Sequence, residues 1–273
     1  MASPLSLLSF VGVACATFAP AMVLVWTAMG EPMLMVLAIF SAFFYAASLA
    51  LTALVWLALV PLRQTYPLLV LYAVALQEAA RWGTWSLSER LMRGLRSVGL
   101  VPHDVERLPN MAVPARAVPA AVACGVGFGV MQALVMHGDV LFGSLRPGTL
   151  YSPSCSSLSV FAVDALTNLA YTLLHVLLSI LGWTCAYPRG SIRVWAAIVV
   201  LHLLASASTL FNTQIPITPT ADRCAISLTC LYAVVVGAAV LTARVALSSL
   251  CATHGCEAQT LAISSTSSGG RAR

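Results

Sequence analysis

The chain has 273 residues, of which 60% are hydrophobic and 8% are charged, and its formal net charge at pH 7 is +5. A water-soluble domain carries about 25% charged residues, so this composition excludes a soluble fold and indicates a polytopic membrane protein. The lipid bilayer is therefore the expected environment, and we expect neither a cofactor nor a nucleic-acid partner.

Seven apolar runs predict an all-α bundle of transmembrane helices. Crossing a hydrocarbon core about 30 Å thick takes about 20 helical residues, and each run reaches or approaches that length. The runs cover residues 5–29, 33–62, 66–85, 117–140, 158–187, 192–211 and 224–243. They predict one transmembrane domain over residues 1–248, followed by a disordered tail over residues 249–273 that is rich in serine and glycine near its end.

The distribution of arginine predicts the orientation of the bundle. The chain has no lysine, and all fourteen of its Lys and Arg residues are arginine. With the N-terminus outside, the outer loops hold Arg63, Arg146 and Arg223, and the other eleven arginines lie on the inner side. The positive-inside rule therefore favours a luminal or extracellular N-terminus and a cytoplasmic C-terminus.

The fourth run carries a small residue at every fourth position, which predicts a helix-docking surface. The stripe starts at Ala117 and continues through Ala121, Gly125, Gly129 and Ala133. Small side chains let two helix backbones approach closely in a bilayer, where no hydrophobic force joins helices otherwise. The docked helix could belong to this bundle or to a partner subunit, and contact with a partner is the preferred interpretation.

Polar residues on the fifth and sixth runs predict an intramembrane pocket. At helical spacing the fifth run presents Asp164, Asn168, Tyr171, Thr172, His175 and Ser179, and the sixth presents Trp195, His202, Ser206 and Thr209. Polar side chains at this depth face a bundle interior, a cavity or a partner. The short connection between the runs makes the helices antiparallel neighbours and places His175 and His202 at similar depth. We therefore expect a pocket for a partner segment that includes His175, His202, Asn168 and Ser206. There are three alternatives for the two histidines. They could only join helices, they could line a hydrated cavity, or they could act in catalysis or metal binding.

The third run contains Gln77, Glu78 and Arg81, which predict an intramembrane clamp. Glu78 and Arg81 are three residues apart and can pair on one helix face. Breaking such a buried pair is costly even where forming it stabilises little. A structural clamp between helices is favoured over a proton relay.

No complete catalytic constellation is found in the sequence. Asp164 is the single aspartate expected inside a span, no His-Glu-x-x-His motif is present, and no Gly-x-Ser-Gly motif accompanies a helical histidine. The eight cysteines have no paired spacing, so they predict neither a disulfide framework nor a zinc site. The expected protein is a non-enzyme without catalytic or metal-binding residues.

Six segments occur along the chain in a recognisable order: FVGVACATFAPAMVL, EPMLMVLAIFSAFFYAASLALTALVW, ALQEAARW, CGVGFGVMQA, LLH ending at His175, and HLLASASTLFN from His202. In this order and spacing they resemble the anterior-pharynx-defective family, the seven-span scaffold subunit of gamma-secretase. The three-glycine motif of the family falls on Gly125, Gly129 and Ala133, so the third glycine is alanine here. The family's histidine pair corresponds to His175 and His202, and its Gln-Glu pair to Gln77 and Glu78.

The resemblance implies a non-catalytic assembly subunit that stabilises presenilin and nicastrin in a membrane complex with a small presenilin-enhancer subunit. Presenilin would supply the catalytic aspartates, and the two histidines would help to seat its C-terminal part. The complex would process Notch-type receptors and amyloid-precursor-like substrates in the endoplasmic reticulum, Golgi and plasma or endosomal membranes.

Two other functions compete with this interpretation. A histidine-dependent membrane metallohydrolase would use His175 and His202 with Asp164 or Glu78, although Asp164 is about 16 Å from His175 along an unbroken helix. A seven-helix receptor would share the topology, but its usual motifs are replaced here by QEAARW and LYAVVVGAAVLTAR.

Overall fold

A computed structural model describes residues 4–28, 31–60, 65–98, 113–145, 151–152, 155–212 and 223–267. The helices are α1 (Pro4–Ala28), α2 (Pro32–Ala58), α3 (Tyr66–Ser97), α4 (Val113–Gly143), α5 (Val160–Leu181), α6 (Tyr187–Arg189), α7 (Ile192–Ser208) and α8 (Arg223–Ser267). A π-helical turn (Gly182–Ala186) joins α5 to α6, and a 3₁₀ turn (Thr209–Asn212) follows α7. Strands β1 (Tyr151–Ser152) and β2 (Cys155–Ser159) pair antiparallel before α5.

Five helical segments in the described part of the chain are long and apolar enough to cross a membrane. They are Pro32–Ala58, Ala117–Gly143, Val160–Arg189, Ile192–Asn212 and Arg223–Ala246. These segments confirm an all-α polytopic membrane fold. The first and third predicted spans also form helices, but α3 carries several charged residues and α1 contributes only the shorter apolar stretch Phe10–Ala19. The count of seven spans therefore stays a prediction.

Three features differ from the sequence-based boundaries. Helix α3 continues to Ser97, twelve residues beyond the predicted end of the third span. Helix α8 continues to Ser267, into the segment predicted to be a disordered tail. The β1–β2 hairpin lies at the junction between the fourth and fifth spans, where the sequence predicts no strand. The two helical extensions contain no proline that would stop a helix.

Local sequence explains how α5 begins and how α6 ends. The Ser159 hydroxyl caps α5 by accepting a 3.2 Å hydrogen bond from the backbone N–H of Ala162. Gly190 follows α6 with a positive φ of 60°, which ends the helix at little steric cost because glycine has no Cβ. The chain then reverses directly into α7, so α5 and α7 run antiparallel.

The core is centred on α5, which packs most extensively on α4 and also contacts α1, α7 and α8. Helix α2 packs on the other side of α4 and on α3. The fully buried side chains at the centre include Phe128, Leu174, Leu178, Leu181, Ile198 and Leu231. Most exposed large apolar residues lie on the outer faces of the helices, as expected for side chains that contact lipid.

A disulfide joins Cys155 in β2 to Cys224 at the start of α8, with a Cα–Cα distance of 5.3 Å. The prediction that the cysteines form no disulfide was wrong for this pair. The two residues are 69 positions apart, so their pairing depends on the tertiary fold and cannot be read from local spacing. The bond fixes the hairpin to the N-terminal end of α8.

Removing this disulfide is expected to destabilise the chain. The bond closes a loop of about 69 residues, and bonds of this kind contribute about 2–4 kcal/mol. We expect Cys155→Ser to lower the thermal midpoint of the detergent-solubilised chain by several degrees and to abolish the Cys155–Cys224 peptide in non-reducing mass spectrometry. Cys230→Ser, which alters an exposed free cysteine, is the matched control. Equal midpoints for both variants would contradict the expectation.

Candidate functional site

The small-residue stripe docks α4 onto the chain's own α5. Gly125 lies so close that a Cβ there would overlap the backbone of Val176, and a Cβ on Gly129 would lie 2.9 Å from the Cα of Thr172. Ala121 and Ala133 are also buried inside the chain. The preferred expectation of a partner's helix at this surface is therefore corrected, because an intramolecular helix occupies it. The adjacent Gly127 faces α2, where a Cβ would overlap the carbonyl oxygen of Ala38.

Glu78 and Arg81 form the predicted pair at the centre of the bundle. Arg81 Nε lies 3.2 Å from Glu78 Oε2, and both side chains are almost completely buried. Arg81 Nη1 donates hydrogen bonds to the carbonyl oxygen of His175 at 2.9 Å and to Ser179 Oγ at 3.0 Å. A guanidinium has no acceptor, so these partners on α3 and α5 are needed to stabilise its charge in the apolar interior.

The contacts of Arg81 determine the protonation of His175. Arg81 Nη2 lies 2.9 Å from His175 Nδ1, and since the guanidinium can only donate, Nδ1 must be the acceptor. His175 is therefore neutral and carries its proton on Nε2, which donates to Gln132 Oε1 at 2.5 Å. The Tyr45 hydroxyl donates to the same oxygen at 3.0 Å. These bonds extend the polar network from α3 and α5 to α4 and α2.

His202 attaches α7 to the same network. Its Nδ1 lies 2.6 Å from Glu78 Oε1 and donates a charge-assisted hydrogen bond to the carboxylate. The rings of His175 and His202 meet edge to face with centroids 5.3 Å apart, as the spacing of the two predicted helices indicates. Glu78 thus contacts a cation on its own helix and a donor on α7.

A cavity of about 890 Å³ lies beside this network. Its inner end is lined by polar groups of Tyr45, Gln77, Gln132 and His202, which lie in the middle parts of four helices. Its other end is lined by residues near helix termini, including Trp56, Asn212 and both disulfide cysteines. Asn212 Oδ1 is buried and has no hydrogen-bond partner among the described residues, so it can accept a bond from an occupant.

A second polar pair lies on the wall of the cavity. His137 Nδ1 on α4 contacts Asp164 Oδ1 on α5, and the two side chains keep 20% and 11% of their surface exposed. Asn168 Nδ2 donates to Asp164 Oδ2 at 3.4 Å. The sequence pattern identified Asp164 but not its partner, since His137 lies 27 residues earlier and on another helix.

The predicted pocket residues divide into two groups. His202 and Ser206 line the cavity together with Gln77 of the clamp, whereas His175, Asn168 and Arg81 are buried behind it. Gln132 and Tyr45 complete the polar wall and were not predicted. Both are single polar groups in apolar helices, and a polar residue in a span is the signal that could have identified them.

The chemical groups of the site are hydrogen-bonding side chains in an apolar surround. Among the residues that the structure describes, no group of three or more His, Cys, Asp and Glu side chains could hold a metal ion. The metallohydrolase alternative therefore lacks a ligand set in that part of the chain. The cavity instead offers hydrogen-bonding groups at its inner end and apolar walls, which suit an inserted polypeptide segment.

Comparison with known proteins gives a consistent family match. A family model described as Aph-1 protein matches residues 8–249. The chain is 28% identical over 209 residues to gamma-secretase subunit Aph-1 of Drosophila melanogaster, which covers 76% of this chain and 83% of the relative. It is 30% identical over 214 residues to gamma-secretase subunit APH-1B of Homo sapiens, and the alignment covers 74% of this chain and 78% of the relative. The corresponding protein of Danio rerio is 31% identical over 215 residues, with the same shares covered.

Removing one side of the buried ion pair is expected to be more damaging than removing both. Arg81→Met leaves Glu78 as an uncompensated buried charge, so we expect the free energy of unfolding to fall by about 3–5 kcal/mol. The double variant Glu78→Gln/Arg81→Met removes both charges and should recover part of that loss. Thermal denaturation in detergent measures both effects, with the exposed Arg93→Met as the control. If the double variant is less stable than Arg81→Met, the pair does not act as a clamp.

Proposed function

Because this chain belongs to the Aph-1 family, we propose that it is the non-catalytic scaffold subunit of a gamma-secretase intramembrane aspartyl protease complex. Its relatives in fly, human and plant are named gamma-secretase subunits. The proposed partners are presenilin, nicastrin and a small presenilin-enhancer subunit. The chain would support the processing of Notch-type receptors and amyloid-precursor-like substrates by stabilising the assembly.

The cavity beside Glu78, Arg81 and His202 is the observation that carries this proposal. Its inner end presents hydrogen-bonding groups held in place by the buried network, and its walls are mainly apolar. A partner segment that enters the cavity would lose contacts with lipid. It would gain hydrogen bonds at the inner end and van der Waals contacts with the apolar walls. Burying apolar surface in a preformed site contributes affinity, and the prearranged polar groups select the register of the occupant.

The residues proposed to receive the partner are His202, Ser206 and Gln77, which line the cavity directly. His175, Asn168, Glu78 and Arg81 would act through them by holding the helices at fixed distances. The stripe at Ala121, Gly125, Gly129 and Ala133 would contribute by keeping α4 against α5, so that Gln132 remains at the cavity wall.

The proposed topology has seven spans, an outer N-terminus and a cytoplasmic C-terminus. Arginine placement supports this orientation. The disulfide supports it as well, because disulfides persist in oxidising compartments and both cysteines lie on the side proposed to be luminal or extracellular. The expected location is the endoplasmic reticulum, Golgi and plasma or endosomal membranes.

Filling the cavity should block assembly without unfolding the chain. Ser206→Trp places an indole into the cavity, and we expect it to reduce co-purified presenilin and nicastrin at least tenfold. Leu204→Trp adds the same ring to an exposed face of α7 and is the matched control. Recovery is measured by affinity isolation of the tagged full chain in mild detergent, normalised to chain abundance. Normal recovery of both partners with Ser206→Trp would rule out the cavity as the docking site.

Separating α4 from α5 should reduce assembly by a different route. Gly125→Leu or Gly129→Leu would force the helices apart, so we expect loss of partner co-purification together with a lower thermal midpoint of the chain itself. Gly138→Leu is the control, because a Cβ at that position meets nothing within 4 Å. Normal assembly with both substitutions would show that the close approach is not required.

A further inference from the structure

A second cavity lies between α3 and α7 and shares no lining residue with the first. Its volume is about 520 Å³. Ala79 and Trp82 on α3 face Trp195 and Val199 on α7, and Glu78 lies at its inner end. We call this cavity the lateral groove. It opens on the outer surface of the bundle, since Trp82 and Trp195 keep 51% and 41% of their surface exposed.

The start of α7 lines one end of the lateral groove, and two arginines adjoin these lining residues in the sequence. Gly190, Ser191 and Ile192 line it where α7 begins, and Ser191 makes no side-chain capping bond to the first turn. The first backbone N–H groups of a helix lack intrahelical partners and carry partial positive charge. The neighbouring Arg189 and Arg193 are both exposed.

Tyr187 lies between the lateral groove and the bundle interior, because the far end of its ring, with the hydroxyl, packs against Gly182. It lines the lateral groove with 9% of its surface exposed. Its hydroxyl has no hydrogen-bond partner among the described residues.

Counting residues along α7 places this end near the depth of lipid headgroups. His202 contacts Glu78 in the middle of the bundle, and Ile192 precedes His202 by ten residues, which is about 15 Å along the helix. That distance is half of a hydrocarbon core about 30 Å thick. Trp195 lies about one helical turn closer to the bilayer centre than Ile192, within the interfacial region where tryptophan is enriched in membrane proteins.

We propose that the lateral groove binds one anionic phospholipid from the leaflet that contains Arg189 and Arg193. The phosphate would contact these arginines and the N–H groups at the start of α7, and an acyl chain would lie between Trp82 and Trp195. The charge complementarity at headgroup depth favours a lipid over a partner's apolar helix, which offers no negative group there. The acyl chain would also cover Glu78 from the outside and keep water from the clamp.

Native mass spectrometry of the delipidated full chain tests the proposal, with phosphatidylglycerol and phosphatidylcholine as probes. We expect one phosphatidylglycerol to bind about tenfold more tightly than phosphatidylcholine. Arg189→Gln/Arg193→Gln should remove this preference, and Ala79→Phe, which fills the lateral groove, should weaken binding of both lipids. The matched controls are Arg90→Gln/Arg93→Gln and Ala196→Phe, which change exposed residues outside the groove and should keep wild-type binding.

Three results would overturn the proposal. They are equal affinity for the two lipids, an equal loss of preference in the Arg90/Arg93 control, and unchanged lipid binding by Ala79→Phe. A loss of co-purified partner subunits from Ala79→Phe without any change in lipid binding would instead assign the lateral groove to a protein contact. Thermal midpoints measured without added lipid show whether each variant is folded. Because the lipid-binding measurements use the isolated chain, their failure is independent of the assembly proposed above.

Discussion

The buried guanidinium of Arg81 is the constraint on which the rest of the bundle depends. A charge in the interior of a membrane protein is tolerated only when a counter-charge and hydrogen-bond acceptors surround it. Glu78 supplies the counter-charge, and α5 supplies a carbonyl oxygen, a hydroxyl and an imidazole nitrogen. Each of these groups must lie within about 3 Å of one side chain. This requirement fixes the relative positions of α3 and α5. The bond from His202 to Glu78 adds α7 to the network, and the bond from His175 to Gln132 adds α4.

The two cavities lie on opposite sides of this network. The larger cavity is lined by residues of α3 that precede Glu78 and by residues of α7 from His202 onward. The lateral groove is lined by residues of α3 from position 75 onward and by residues of α7 that precede His202. The network therefore lies between the two cavities along the bundle. In the functions proposed here, the larger cavity would receive a polypeptide segment and the lateral groove a lipid, with the buried network between them.

Sequence alone predicted the features that depend on local periodicity. The helices, the i,i+3 pairing of Glu78 with Arg81, and the meeting of His175 with His202 follow from helical spacing and one short connection. The partners of Asp164 and Cys155 could not be predicted, because His137 and Cys224 reach them through the tertiary fold. The stripe illustrates a different limit. Small residues at every fourth position indicate close packing, but the pattern is the same whether the docked helix is internal or belongs to a partner.

The distance between α4 and α5 increases along the small-residue stripe from Gly125 to Ala133. At Gly125 the approach is backbone to backbone, and no side-chain atom could fit. At Gly129 an added Cβ would lie 2.9 Å from Thr172, and at Ala133 a methyl group is accommodated in a buried position. The space between the helices therefore widens along the stripe towards the cavity. His137 and Asp164 lie beyond Ala133, where they connect the two helices by a polar contact instead of close packing. Such a contact can hold the cavity wall together without filling it.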